Sequence, residues 1–94
     1  MNKIKVQKSI RKKRDEFLLG IVDQFQQSDE NITLFNCYDY VKIISNLTIS
    51  SFAETLTEEE KELFQSNIIK WLSPIESFQT FSIFLSNNEI SLNQ

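Results

Sequence analysis

Glu58, Glu59, Glu60 and Glu62 are the densest set of carboxylates in this 94-residue chain. Carboxylates at that density could hold a cation or divide acid and base roles between them. The rest of the chain offers them few helpers. There is no histidine, which removes the commonest general base and the commonest neutral metal ligand. Cys37 is the single cysteine, so an intrachain disulfide is excluded. A nucleophilic thiolate needs a base or a cation beside it, whereas Cys37 sits near Asp39, and an acid raises a thiol pKa. It reads as a small buried hydrophobe. Zinc needs several Cys or His ligands, a phosphate-cradling loop needs several glycines, and Gly20 stands alone. The glutamates have a structural explanation of their own. Thr57-Glu58-Glu59-Glu60 is a capping box, with Thr57 as N-cap and Glu60 at N3, and acids suit the positive end of a helix dipole. Neither an enzyme nor a metal or cofactor site is expected.

The cations are distributed more tellingly. Lys3, Lys5, Lys8, Arg11, Lys12, Lys13 and Arg14 fall in the first fourteen residues, where there is no acid. The remaining eighty hold Lys42, Lys61 and Lys70 against all thirteen acids. A +7 segment is thus joined to a −10 body, and the net charge of −3 conceals the split. Two anionic partners suit such a segment. One is the phosphate backbone of a nucleic acid. The other is an acidic protein surface, supplied by a partner, a second copy or this chain's own body. Residues 3–14 are also an awkward helix start, because each cation there opposes the dipole by about 0.3–1 kcal/mol at low salt. Either the helix begins nearer Asp15, or something negative compensates. Arg11 with Asp15 and Lys12 with Glu16 are i,i+4 pairs in the less favourable order.

The elements that must position these residues are mostly helical. One glycine and one proline in the whole chain leave little material for tight β turns. Ile10, Phe17, Leu18, Ile21, Val22 and Phe25 recur at helical spacing. A second helix is expected to start near Asn31 or Thr33 and to bury Leu34, Cys37, Tyr38, Val41, Ile44 and Leu47. A third follows the Thr57 box and carries Leu63, Phe64, Ile68, Trp71 and Leu72 on one side. A fourth is expected at Ser73-Pro74-Ile75-Glu76, with serine as N-cap, proline at N1 and Phe78, Phe81, Phe84 and Leu85 inside. Connections are expected at residues 27–30 and 48–56, since Thr48, Ile49 and the serines are poor helix formers.

The prediction is an all-α, four-helix bundle-like domain. It comprises a basic arm or first-helix start at residues 1–14, a helical domain at 15–86 and a flexible tail at 87–94. Strand-like alternation competes at residues 3–7 and 81–85. Read as a strand, Lys3-Ile4-Lys5-Val6-Gln7 followed by two helices is similar, over about half of the chain, to ribbon-helix-helix repressors and antitoxins. That resemblance implies DNA binding, although the small turn motif between the two helices is missing.

Phe35, Tyr40 and Phe52 do not share one helical face with the other aromatics, and are candidates for an exposed interface patch. Glu58, Glu59 and Glu62 are a candidate acidic interaction face. The apolar run at residues 17–22 is too short for a signal peptide and far too short for a membrane span, so a cytoplasmic setting without a membrane partner is expected. Small, acidic, asparagine-rich and glycine-poor helical chains resemble phage or plasmid inhibitors, antitoxins and immunity proteins as a class. The expected function is a non-catalytic regulator or inhibitor that binds another protein. Nucleic-acid binding through residues 3–14 is the alternative, and homo-oligomerisation a third reading.

Overall fold

The structure, a computed structural model, describes residues 2–28 and 32–92. It is all-α, consistent with a small helical bundle, and contains no strand among the described residues. The helices are α1 (Lys3–Ser28), α2 (Leu34–Glu54), α3 (Glu58–Ser66), α4 (Ile68–Trp71) and α5 (Phe78–Asn87), with a 3-10 turn at Ser73–Ile75. Both segments with strand-like alternation are helical. Residues 3–7 open α1 and residues 81–85 lie inside α5, which removes the basis of the ribbon-helix-helix likeness. Burial decides these cases, because Val6 and Ile10 need a four-residue repeat to reach one core, and Phe81, Phe84 and Leu85 do the same in α5.

The basic segment is part of α1. The Asn2 side chain accepts from the Ile4 N–H at 2.9 Å and closes the start of the helix. Ser9 lies inside the helix, and its side chain bonds to Glu60. The N-terminal half of α1 packs on the C-terminal half of α2, and its C-terminal half on the start of α2, so the two form an antiparallel hairpin. α2 starts where Thr33 accepts from the Asn36 N–H at 3.1 Å, while Asn31 and residues 29–30 lie outside the described residues.

α2 runs straight through residues 48–54, where a connection was expected. Thr48 donates its hydroxyl to the Ile44 carbonyl at 2.7 Å, and Ser45 donates to Lys42 at 3.1 Å. Those bonds occupy hydroxyls that otherwise compete with the helix. Phe52 and Ala53 are drawn into a core, and that packing outweighs weak propensity.

The Thr57–Glu60 capping box forms as expected. The helix behind it is interrupted, however. Asn67 leaves the helical region and its side chain accepts from the Lys70 N–H at 3.3 Å, starting the short α4. The fourth start also moves. Ser73 makes no side-chain cap, and Pro74 and Ile75 turn inward in the 3-10 turn. α5 begins four residues later, where Ser77 and Thr80 satisfy each other's backbone N–H at 3.1 and 3.0 Å.

Beyond α5 the chain folds back rather than trailing away. Ile90 N–H reaches the Leu85 carbonyl at 2.9 Å, Glu89 N–H reaches Ser86 at 3.0 Å, and Glu89 takes a positive φ of 59°. This is a Schellman ending with glutamate in the left-handed position. Ile90 and Leu92 lie against the core, and residues 93–94 fall outside the description.

Two buried clusters share the α1–α2 hairpin. One joins Leu18, Ile21, Val22 and Phe25 to Leu34, Cys37, Tyr38 and Val41, closed by Ile75, Phe81, Phe84 and Leu85. The other joins Val6 and Ile10 to Phe52, Ala53, Leu56, Phe64 and Trp71. Phe17 packs on both and stacks on Phe52 with ring centroids 4.6 Å apart.

Candidate binding surface on the first helix

The cations of α1 divide into an inward set and an outward set. Arg14 is buried. Its Nη1 donates to the Trp71 carbonyl at 3.2 Å, and its Nε and Nη2 donate to Asp15 at 2.9 and 2.7 Å. A cation at the end of α4 suits the carbonyls left unpaired there. Lys13 donates to Glu60 Oε1 at 2.7 Å, and Ser9 donates its hydroxyl to the other oxygen. The Thr57 N–H adds a third bond at 2.9 Å. Burial alone would raise the Glu60 carboxyl, but the bonds from Lys13, Ser9 and Thr57 and the Lys13 charge outweigh it, and hold it at about 2 against a usual 4.5. The glutamate that looked like a capping residue is therefore also the latch between α1 and α3. Lys3 borders a shallow cleft with Val6, Glu59, Glu62 and Leu63.

Lys5, Lys8, Arg11 and Lys12 remain outside. All four are exposed, and none has a hydrogen-bond or ion-pair partner among the described residues. Their i,i+3 and i,i+4 spacings put them on one side of the helix, along two turns or about 10 Å of axis. Ile4, 60 % exposed, stands one turn before Lys8 on the same side.

The acidic residues Glu58, Glu59 and Glu62 are exposed on α3. Lys61 beside them pairs with Glu54 at 2.9 Å, and that bond raises the lysine pKa. The candidate aromatic patch does not form as a unit. Phe35 is exposed, but Tyr40 is half-buried against Phe25, and Phe52 is buried between Phe17 and Phe64. Phe52, expected outside because it does not share a helical face with the other aromatics, is turned inward by α2, which continues to Glu54. Phe78 takes an exposed place instead, 40 % accessible, with its ring 6.1 Å from Phe35 and 5.8 Å from Tyr38. The signal for this was the Ser77–Thr80 box, which makes Phe78 the first residue of a helix rather than an interior one. Leu47, expected inside, is 76 % exposed, and Ile43 one turn earlier is 60 % exposed.

Cys37 is fully buried, and burial pushes its thiol up to about 11, so it carries no thiolate near neutral pH. Among the described residues, no three His, Cys, Asp or Glu side chains converge as a metal site, and no helix is long and apolar enough to cross a membrane. Comparison with protein-family models, with curated proteins and with solved structures gives no match for this chain.

Proposed function

We propose that the protein is a non-catalytic binding module, a small cytoplasmic regulator or inhibitor that docks on another protein through the outward strip of α1. The observation that carries this reading is the unneutralised set Lys5, Lys8, Arg11 and Lys12. Like charges at helical i,i+3 and i,i+4 spacing repel by a few tenths of a kcal/mol per pair. Those in the first turns also oppose the helix dipole. The fold recruits Lys13 and Arg14 into internal contacts and leaves these four facing water. An acidic partner surface relieves both costs at once. Local sequence choices that disfavour the fold are characteristic of binding sites. Exposed Ile4 within the strip suits a protein surface, which can cover an aliphatic side chain, better than a phosphodiester chain. The acids of α3 offer a second contact to a partner carrying a basic patch.

The test is affinity purification from the native host with the wild-type chain and a variant carrying Lys5→Glu, Lys8→Glu, Arg11→Glu and Lys12→Glu. Deleting residues 1–14 is unsuitable, since Val6, Ile10 and Arg14 belong to the core. A defined protein retained by the wild type and lost by the variant is the expected result. A catalytic turnover that depends on Cys37 or on residues 58–62 would remove the reading.

The line of cations also favours a second reading, docking on the phosphates of a nucleic acid. Four contacts predict an affinity for duplex DNA that falls with a log–log salt slope of about 3 to 4. Duplex binding with that slope, abolished by the fourfold reversal, would replace the protein reading.

A further inference from the structure

We infer that the outward face of α2 is a self-association surface, on which a second copy of this chain packs antiparallel about a two-fold axis. Ile43 and Leu47 are 60 % and 76 % exposed and one turn apart, so they form a single ridge. The ridge points away from Val41, Ser45 and Phe52, which are buried on the side of α2 that meets α1. Scattered exposed aliphatics are ordinary, but this pair stands within a stretch of unusual composition. From residue 43 to residue 53, α2 carries no charged side chain, although 24 % of the chain is charged. Depletion of charge around exposed apolar residues is the composition of an interface centre.

Two features favour a second copy as the occupant. A two-fold contact sets the residues on its axis against their own copies, so a charge at its centre would face its own sign. The outward neighbours Asn46 and Ser50 each carry both a donor and an acceptor and can pair with copies of themselves. The charge-free stretch is bracketed by Lys42 at one end and Glu54 at the other. Both are already engaged within the chain, Lys42 over the Tyr38 ring at 4.7 Å and Glu54 with Lys61 at 2.9 Å, and turning the second copy end for end keeps each away from its own copy, whereas a parallel arrangement sets like beside like. Antiparallel helix dipoles also oppose each other favourably. The contact uses the side of α2 opposite to α1, so it leaves the cationic strip available and does not depend on the docking reading above.

Sedimentation equilibrium of the full chain over a concentration series tests this. A mass rising to twice 11.1 kDa is expected. Leu47→Glu and Ile43→Glu should each weaken association by about tenfold or more, with an unchanged far-ultraviolet helical spectrum. Lys8→Glu with Lys12→Glu should leave the association constant unchanged. A chain that stays monomeric throughout overturns the inference, as does a dimer indifferent to Leu47→Glu. A dimer dissolved by the α1 reversal alone also overturns it, and moves the contact to the cationic strip.

Discussion

The two ends of the α1–α2 hairpin are held by different physics. At the end formed by residues 3–16 and α3, an aromatic cluster of Phe52, Phe64 and Trp71 is surrounded by ions, and two charged side chains, Arg14 and Glu60, are themselves buried. At the other end, Phe81, Phe84 and Leu85 pack on Tyr38, Val41 and Phe25 with no buried charge. The helix that closes this end is correspondingly neutral, as residues 77–88 carry no charged side chain. An apolar contact needs only shape and is insensitive to pH. An ionic latch ties particular residues to each other but depends on protonation. The charged end therefore fixes which helices meet, while the neutral end contributes bulk hydrophobic stabilisation.

The strongest challenge to this comparison is to empty each core in turn. Phe64 and Phe81 are both fully buried, and Phe64→Ala and Phe81→Ala should each lower unfolding free energy by about 3–5 kcal/mol in urea titrations. Because α1 and α2 run through both clusters, and Phe17 touches both, each variant should still unfold in one transition. Two separate transitions would show that the ends are independent units.

The next effect belongs to the charged end alone. The Glu60 carboxyl titrates near 2 in the folded protein and near 4.5 when unfolded. Its contribution is present in full above the unfolded value, and is lost as pH falls through the folded one. Stability should decline by about 2–3 kcal/mol between pH 5 and pH 2 on this account. Glu60→Gln should remove about 2 kcal/mol at neutral pH and flatten that part of the acid limb. An equally steep acid limb in Glu60→Gln would transfer the pH dependence to other carboxylates and weaken the contrast between the ends.

Two smaller changes sharpen the picture at the neutral end. Glu89 occupies the left-handed position that closes α5, where a side chain with a Cβ is strained. Glu89→Gly should raise stability by about 0.5–1 kcal/mol, read as a higher Tm. Gly20 lies in the middle of α1, exposed, and a methyl group there would touch nothing within 4 Å. Gly20→Ala should add about 0.5–1 kcal/mol through helix propensity and a less flexible unfolded chain. A loss of stability at Gly20 would mean that the outward face of α1 is covered in solution.

Much of the helical content was legible in the residues because its signals are local. The Thr57–Glu60 box, the Thr33 start and the apolar spacing of residues 10–25 depend on neighbours within one or two turns. The misreadings share a cause, which is packing between residues far apart in the chain. Thr48 to Ala53 look like a connection by propensity, and become helix because Phe52 and Ala53 find Val6, Ile10 and Phe64. The Ser73-Pro74 start loses to Ser77–Thr80 because Pro74 and Ile75 are turned into the interior.

The same division runs through the candidate site. The sequence by itself determined that cations crowd residues 3–14, that all the acids lie in the rest, and that histidine is absent. Only the tertiary structure decided which cations are neutralised internally. Arg14 and Lys13 look no different from Arg11 and Lys12 in the sequence. A rotation of 100° per residue turns the first two toward Trp71 and Glu60 and the others toward water. The charge of a side chain is written in its own chemistry, whereas its partner is set by the direction in which the packed helix points it.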